Sequence, residues 1–412
     1  MKNRYAFIFV ALAALFICIT ACARQRDYGT PTPYIPHPKG EFPIVATYAF
    51  TMPYLNDRQM EWVKEAGFNV LTQAQTKAEL DSILVLVARH DLYTYARPEG
   101  IRDTTKMAGL MREYGSNPRV WMFSLYDEPK ASQFPYLKRL REIASANGPR
   151  QNALINLLPA IDPKGLEADS YRDYVEEFVE TVNPSFISFD IYPVKKRKNG
   201  EIYVDPVTYP SYEVIADVAR KSHRPFWSYI LSNEHWMYPK PKTEYIRFSV
   251  FTALGYGAQG LQYYTYCMPD FDKNAGEYSN APIDWDGNRT DVWYMVRDVN
   301  REVRNLEHVF LGAETVSVTH TGKQIPASTR RTDTLPAPFR IIESNGEGVM
   351  VSHLRNGNKN YLLLVNRDVL NKQKVYLSRT KPVTRLYGNG KRKTDKGPNL
   401  TLDPGGYALF EF

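Results

Sequence analysis

Three cysteines in 412 residues are too few to organise this chain. Cys18 and Cys22 both fall near the N-terminus, which leaves Cys267 alone in the body. That excludes a disulfide framework and a thiolate metal cluster. Histidine is scarce as well, with seven in all, and His223 and His235 stand at no recognised metal-ligand spacing. No metal site is expected. A glycine-rich phosphate turn is missing after the first strand-like run, which argues against a doubly wound nucleotide-binding sheet; no cofactor is implied. Charge is nearly balanced, 52 Lys and Arg against 45 Asp and Glu, and "KKRKNG" at 195–200 reads as a solvated loop tip. Without a basic stripe, nucleic acid is not an expected partner. Ser124 lacks a G-x-S-x-G setting, so serine-hydrolase chemistry has little support.

The N-terminus is a different matter. Lys2 and Arg4 precede "AFIFVALAALFICIT", an apolar stretch too short and wrongly flanked for a spanning helix. It ends in "ITAC", the form of a bacterial lipoprotein signal. Residues 1–22 are therefore expected to be a signal peptide with Cys22 as the lipidated residue, and the formal charge falls from +7 to +5 when Lys2 and Arg4 leave. Residues 23–40, rich in proline, read as a tether. The expected location is outside the cytoplasm, anchored to a bacterial membrane by lipid alone.

From residue 41 strands and helices alternate. "FPIVATYAF" is strand-like, and Asp57 is placed to cap "RQMEWVKEAG", which Gly67 stops. "FNVLTQA" follows, then a helix opened by a capping box of Thr76 and Glu79. "LYTYARP", "RVWMFSLYDEP", "NALINLLPA", "FISFDIYP", "RPFWSYILS" and "GAQGLQYYTY" complete eight apolar runs, each followed by a helix-length segment. That rhythm over residues 41–312 predicts an α/β chain forming a (β/α)8 TIM barrel. After residue 313 the helical period stops. Asn356-Gly357-Asn358 joins two strand-like runs, and 313–412 reads as a small antiparallel β-sandwich.

Barrel enzymes gather their chemistry at the C-terminal ends of the strands. There the sequence puts Tyr48, Arg97, Asp127, Glu128, Asn156, Asp190, Tyr192, Tyr263 and Tyr264, with Glu234, His235 and Trp236 just past strand seven. Polar groups that interrupt apolar strands all at one end are hard to explain by stability. For Glu128 alone the alternative is a helix-start carboxylate before Pro129.

In its "DEP" at strand four, its "FDIYP" at strand six and its closing "DVWYMVRDVNREVRNL" helix, residues 41–310 resemble the clan of retaining (β/α)8 glycoside hydrolases that holds the cellulase-like and β-galactosidase-like families. The resemblance implies a carbohydrate substrate and makes Glu128 the acid/base. Asp127 stands where the clan has an asparagine that contacts the sugar 2-hydroxyl. It departs at strand seven, where the clan's nucleophilic glutamate is replaced by Ile230. Glu234, four residues on, is the expected nucleophile, with Asp190 as the other carboxylate in range. Asp127, Tyr48, Arg97, Asn156, Asp190, Tyr192, Trp236, Tyr263 and Tyr264 are expected to bind substrate. Two alternatives stand beside a retaining hydrolase: an inverting one using Asp190, and a barrel that only binds glycans. A carboxyl separation of about 5–5.5 Å goes with retention and about 6.5–9.5 Å with inversion.

Overall fold

The computed structural model describes residues 26–49, 54–72 and 76–412. The signal segment and Cys22 lie outside them. Eight parallel strands close into a barrel in sequence order: β1 Ile44–Ala46, β2 Val70–Leu71, β3 Tyr93–Ala96, β4 Val120–Asp127, β5 Asn152–Leu157, β6 Ile187–Phe189, β7 Phe226–Leu231 and β8 Leu261–Tyr264, the last pairing with the first. Helices pack outside. The capping box at Thr76 and Glu79 forms as expected, Thr76 N–H donating to Glu79 at 2.8 Å and Glu79 N–H to Thr76 at 3.3 Å. At the preceding helix the cap is Asn56, whose Oδ1 accepts from Gln59 N–H at 3.1 Å; Asp57 is the first helical residue, where its charge suits the dipole.

Strand alternation sorts the side chains. Inside the barrel Trp121 and Trp227 meet with ring centroids 5.5 Å apart, among Val45, Val70, Tyr93, Tyr95, Leu154 and Phe186. Gly260 makes this possible, because a Cβ there would run into the Trp227 ring. The bottom of the barrel is closed by a strap, residues 26–40. Trp121 Nε1–H donates to the carbonyls of Ile35 and Pro36, each at 3.1 Å, and His37 meets Tyr93 and Trp121 edge-on. Asn152 accepts the Ile35 N–H at 3.0 Å, and Arg26 pairs with Asp173, Glu176 and Glu180. This corrects the tether reading for the described part of 23–40. Its prolines keep it extended, but tyrosine and isoleucine give it a face to bury.

"KKRKNG" is a solvated tip as read over 197–200, which are exposed, while Lys195 and Lys196 belong to a hairpin in which Val194–Lys196 pairs with Ile202–Val204. Beyond the Asp291–Phe310 helix the chain forms a six-stranded and a three-stranded antiparallel sheet, face to face around Val351, Leu362, Leu364, Leu377 and Phe410. The larger sheet docks on the Thr243–Tyr256 helix, with Tyr407 stacked on Phe251 at 3.6 Å and Ser352 Oγ donating to Gly255 O at 2.6 Å. That helix is buried nearly all round, barrel on one side and sandwich on the other.

Candidate active site

Adjacent residues of a strand point to opposite faces, so Asp127 and Glu128 should not share a cleft. Two local features bring them together. The register between β4 and β5 shifts between Ser124 and Tyr126, a bulge that re-aims the strand end. Glu128 then takes a left-handed backbone, φ 49°, with its N–H donating to Asn156 O at 2.8 Å. Tyr48 at φ 47° and Trp236 at φ 44° are strained in the same way on the same rim. Such backbone is costly for non-glycine residues and tends to occur where function needs it.

Asn156 is the hub. Its Nδ2 donates to Asp127 Oδ1 at 3.2 Å and its Oδ1 accepts from Ser188 Oγ at 2.8 Å; Ser188 in turn accepts from Gln262 Nε2 at 2.8 Å. Asp190, continuing β6, is buried and in hydrogen-bonding contact with the Glu128 carboxyl. Burial, then the charges of Asp127 and Glu128, raise the Asp190 carboxyl well above the usual carboxylate range. Burial is also the main cause lifting Glu128, which the Asp127 charge reinforces and the Asp190 hydrogen bond opposes. Two such carboxyls in contact share a proton rather than both ionising. Asp190 is the buried member, whereas Glu128 opens to the cleft.

Tyrosines wall the site. Tyr192 stacks on Tyr264 at 6.1 Å and its hydroxyl donates to Asp190 Oδ1 at 3.4 Å. Tyr264 and Tyr278 hydroxyls lie 3.0 Å apart, and His235 stacks on Tyr278 at 4.5 Å. Burial lowers the His235 pKa to about 4, so the ring is neutral at pH 7. The 270–287 loop builds one wall, folded around buried Asp272, whose carboxylate accepts the N–H groups of Glu277 and Tyr278 at 3.0 and 2.7 Å. Trp236 stands on the rim, 64% exposed, held by its Nε1–H to Glu277 at 2.8 Å. Arg97 hydrogen-bonds the Tyr48 hydroxyl.

Two expected site residues lie elsewhere. Tyr263 is fully buried, its ring 5.3 Å from Phe68 behind the barrel wall, because alternation on β8 turns Gln262 and Tyr264 inward and Tyr263 out. Glu234 is engaged beyond the strand, where Asn280 Nδ2 donates to it at 2.7 Å, Ser279 Oγ at 3.3 Å and Lys196 Nζ at 3.3 Å. It forms part of a short ladder with Tyr278–Ser279 instead of folding back to Glu128. Ile230 is buried outward. Sequence reading missed Tyr95 and Tyr229, whose hydroxyls lie 3.5 Å apart in the barrel mouth. The clue was present, since Trp227 and Tyr229 share the inward face of β7. Among the described residues, no group of three or more His, Cys, Asp or Glu is placed to hold a metal ion.

No known family's sequence profile matches the chain, and neither does any curated protein sequence. Solved structures do match. A glycoside hydrolase superposes at a TM-score of 0.57 with 11% identity, over 93% of this chain and 96% of the other. A glycoside hydrolase family 5 protein from Bacteroides vulgatus gives 0.55 with 10% identity, over 93% and 94%. A β-galactosidase from Marinomonas ef1 gives 0.47 with 11% identity over 65% of this chain, which spans only 60% of that protein. At these identities the likeness is one of fold, and the chain has the (β/α)8 barrel with a C-terminal β-sandwich that its strand rhythm predicted.

Proposed function

We propose that the protein is a glycoside hydrolase whose proton-delivering group is Glu128. The observation that carries this is the proton-sharing contact between Glu128 and Asp190 at the mouth of an aromatic-walled barrel. General acid catalysis on a glycosidic oxygen needs a carboxyl that keeps a proton near neutral pH, and burial beside another carboxyl supplies one. Glu128 is the member that faces the cleft; Asp190, buried behind it, shares its proton and positions it. Tyr48, Arg97, Tyr192 and Tyr264 line the sugar-binding walls, with Trp236 exposed for stacking.

The geometry gives no support to Glu234 as nucleophile, and a contact pair of carboxyls leaves no room between Glu128 and Asp190 for an inverting water. Release of new reducing ends from a panel of oligosaccharides, wild type beside Glu128→Gln, tests the reading. Glycans that bind without turnover would favour the second reading, a glycan-binding barrel, which the outward Ile230 motivates. Export and lipid attachment at Cys22 belong to the same proposal and rest on residues 1–22. Incorporation of a labelled fatty acid by wild type but not by Cys22→Ala checks them.

A further inference from the structure

A glycosidase with one working acid still needs a nucleophile, and among the described residues the rim carboxylates are engaged elsewhere: Asp205 with Lys195, Glu277 with Trp236, and Asp272 within its own loop. On β7 the inward face carries Trp227 and Tyr229, while Ile230 is turned out. Glu234 is bound by Lys196, Ser279 and Asn280. Asp190 is in hydrogen-bonding contact with Glu128, so it lies on the acid's side of the reacting carbon and not opposite it. Asp127 remains. It does not face Glu128 across the cleft but immediately precedes it on the chain, and it lines a cavity of about 40 Å³ whose other walls include Tyr95, Tyr229, Leu154 and Asn156.

The chemistry of that cavity is specific. Asp127 is an acceptor, already steadied on Oδ1 by Asn156 Nδ2 at 3.2 Å, with its other oxygen unassigned by that bond. The paired hydroxyls of Tyr95 and Tyr229 are donors. Leu154 and the tyrosine rings give an apolar surface. A group carrying one N–H, one carbonyl and one methyl satisfies all three, and an acetamido group is such a group. A 2-acetamido substituent sits beside the anomeric carbon, where its carbonyl oxygen can supply the nucleophile the protein lacks; substrate-assisted catalysis of this kind is a known departure from the two-carboxylate scheme.

Resting on the hydrolase reading, we infer that the substrate is a 2-acetamido-2-deoxyhexoside, cleaved with participation of its own amide, and that Asp127 is the residue that receives the amide N–H. In the first step Glu128 gives its proton to the leaving glycosidic oxygen as the C1–O bond breaks, while the acetamido oxygen bonds to C1. The resulting oxazolinium carries its positive charge on the N–H that Asp127 holds. In the second step Glu128, now ionised, takes a proton from water as the water oxygen bonds to C1 and the C1–O bond of the ring opens. The amide is restored, and two displacements leave the configuration retained.

The test uses aryl glycosides of 2-acetamido sugars and of their 2-hydroxyl counterparts, each as mono- and disaccharide. It adds an N-acetyl, N-fluoroacetyl, N-difluoroacetyl and N-trifluoroacetyl series and the bicyclic thiazoline analogue of the ring intermediate. The expected result is a kcat/KM at least about 10²-fold higher for the acetamido substrates, a kcat that falls steadily with fluorination, and competitive inhibition by the thiazoline. Asp127→Asn, with a melting temperature near that of wild type, should lose about 10²-fold or more in kcat with KM changed less. Cleavage of 2-hydroxyl glycosides at a comparable rate, with no thiazoline inhibition and no effect of fluorination, overturns the inference and leaves the hydrolase reading standing. Failure to cleave or bind any glycoside overturns both.

Discussion

Asn156 donates from Nδ2 to Asp127 Oδ1 at 3.2 Å, and its backbone carbonyl accepts the N–H of the next residue, Glu128, at 2.8 Å. One β5 residue therefore fixes both consecutive carboxylates of β4. Without the Asn156 side chain, Asp127 loses the Nδ2–H donor that steadies Oδ1, while the backbone bond to Glu128 stays.

Asn156→Ala should reduce kcat/KM by about 10–100-fold, a typical cost for loss of a group that orients the reacting residues. It should also destabilise the fold by about 1–3 kcal/mol, because buried Ser188 loses its acceptor. Kinetics and urea unfolding on the same preparation check the two together. Unchanged kinetics would remove Asn156 from the site.

Glu128→Gln is expected to lower kcat by about 10²–10⁴-fold, the usual contribution of a positioned acid. Glu234→Gln should leave kcat within about tenfold of wild type, since Glu234 serves the loop network with Lys196 and Asn280. If both variants are equally dead, Glu234 belongs to the chemistry after all.

The pH profile carries a sign. Asp127's negative charge helps raise the Glu128 carboxyl, so the protonated acid survives to higher pH than in a free glutamate. Asp127→Asn removes that charge, and the basic limb of kcat/KM should move toward acid. A basic limb that stays put or moves alkaline contradicts the assignment.

Stability should fall on acidification for a separate reason. Burial depresses His37 and His235 to about 4 and His320 to about 3, against about 6.5 in an unfolded chain. Between those values the unfolded state binds the extra protons. The folded state therefore loses stability as pH drops below about 6.5, by up to about 1.4 kcal/mol per pH unit for each group. Denaturant unfolding at pH 7.5, 5.5 and 4.5 measures the slope, and His37→Leu should flatten it.

The strap gives a contrast in magnitude. Arg26→Ala should cost no more than about 1 kcal/mol, because its three carboxylate partners are partly exposed. A chain that starts at residue 41 should lose several times as much, since Trp121 gives up two carbonyl partners and the barrel floor meets water. Equal melting temperatures for the two would mean that the strap contributes little to the fold.

The eight-strand rhythm, the capping box at Thr76 and Glu79, and the change of grammar near residue 313 were all legible in the sequence, because alternation, capping and turn chemistry act over a few residues. The same holds for Asp127 and Glu128, which sit where an apolar strand stops. What the chain could not disclose locally was which groups meet across the mouth. Whether Glu234 folded back or paired with Tyr278–Ser279 depended on a loop some forty residues later. That Tyr263 points out and Tyr229 in depended on the absolute phase of each strand, since a shift of one residue exchanges every side chain between faces. The contact between Glu128 and Asp190 joins residues 62 positions apart, and only the closed barrel brings them together, with Asp190 buried beneath the cleft-facing Glu128.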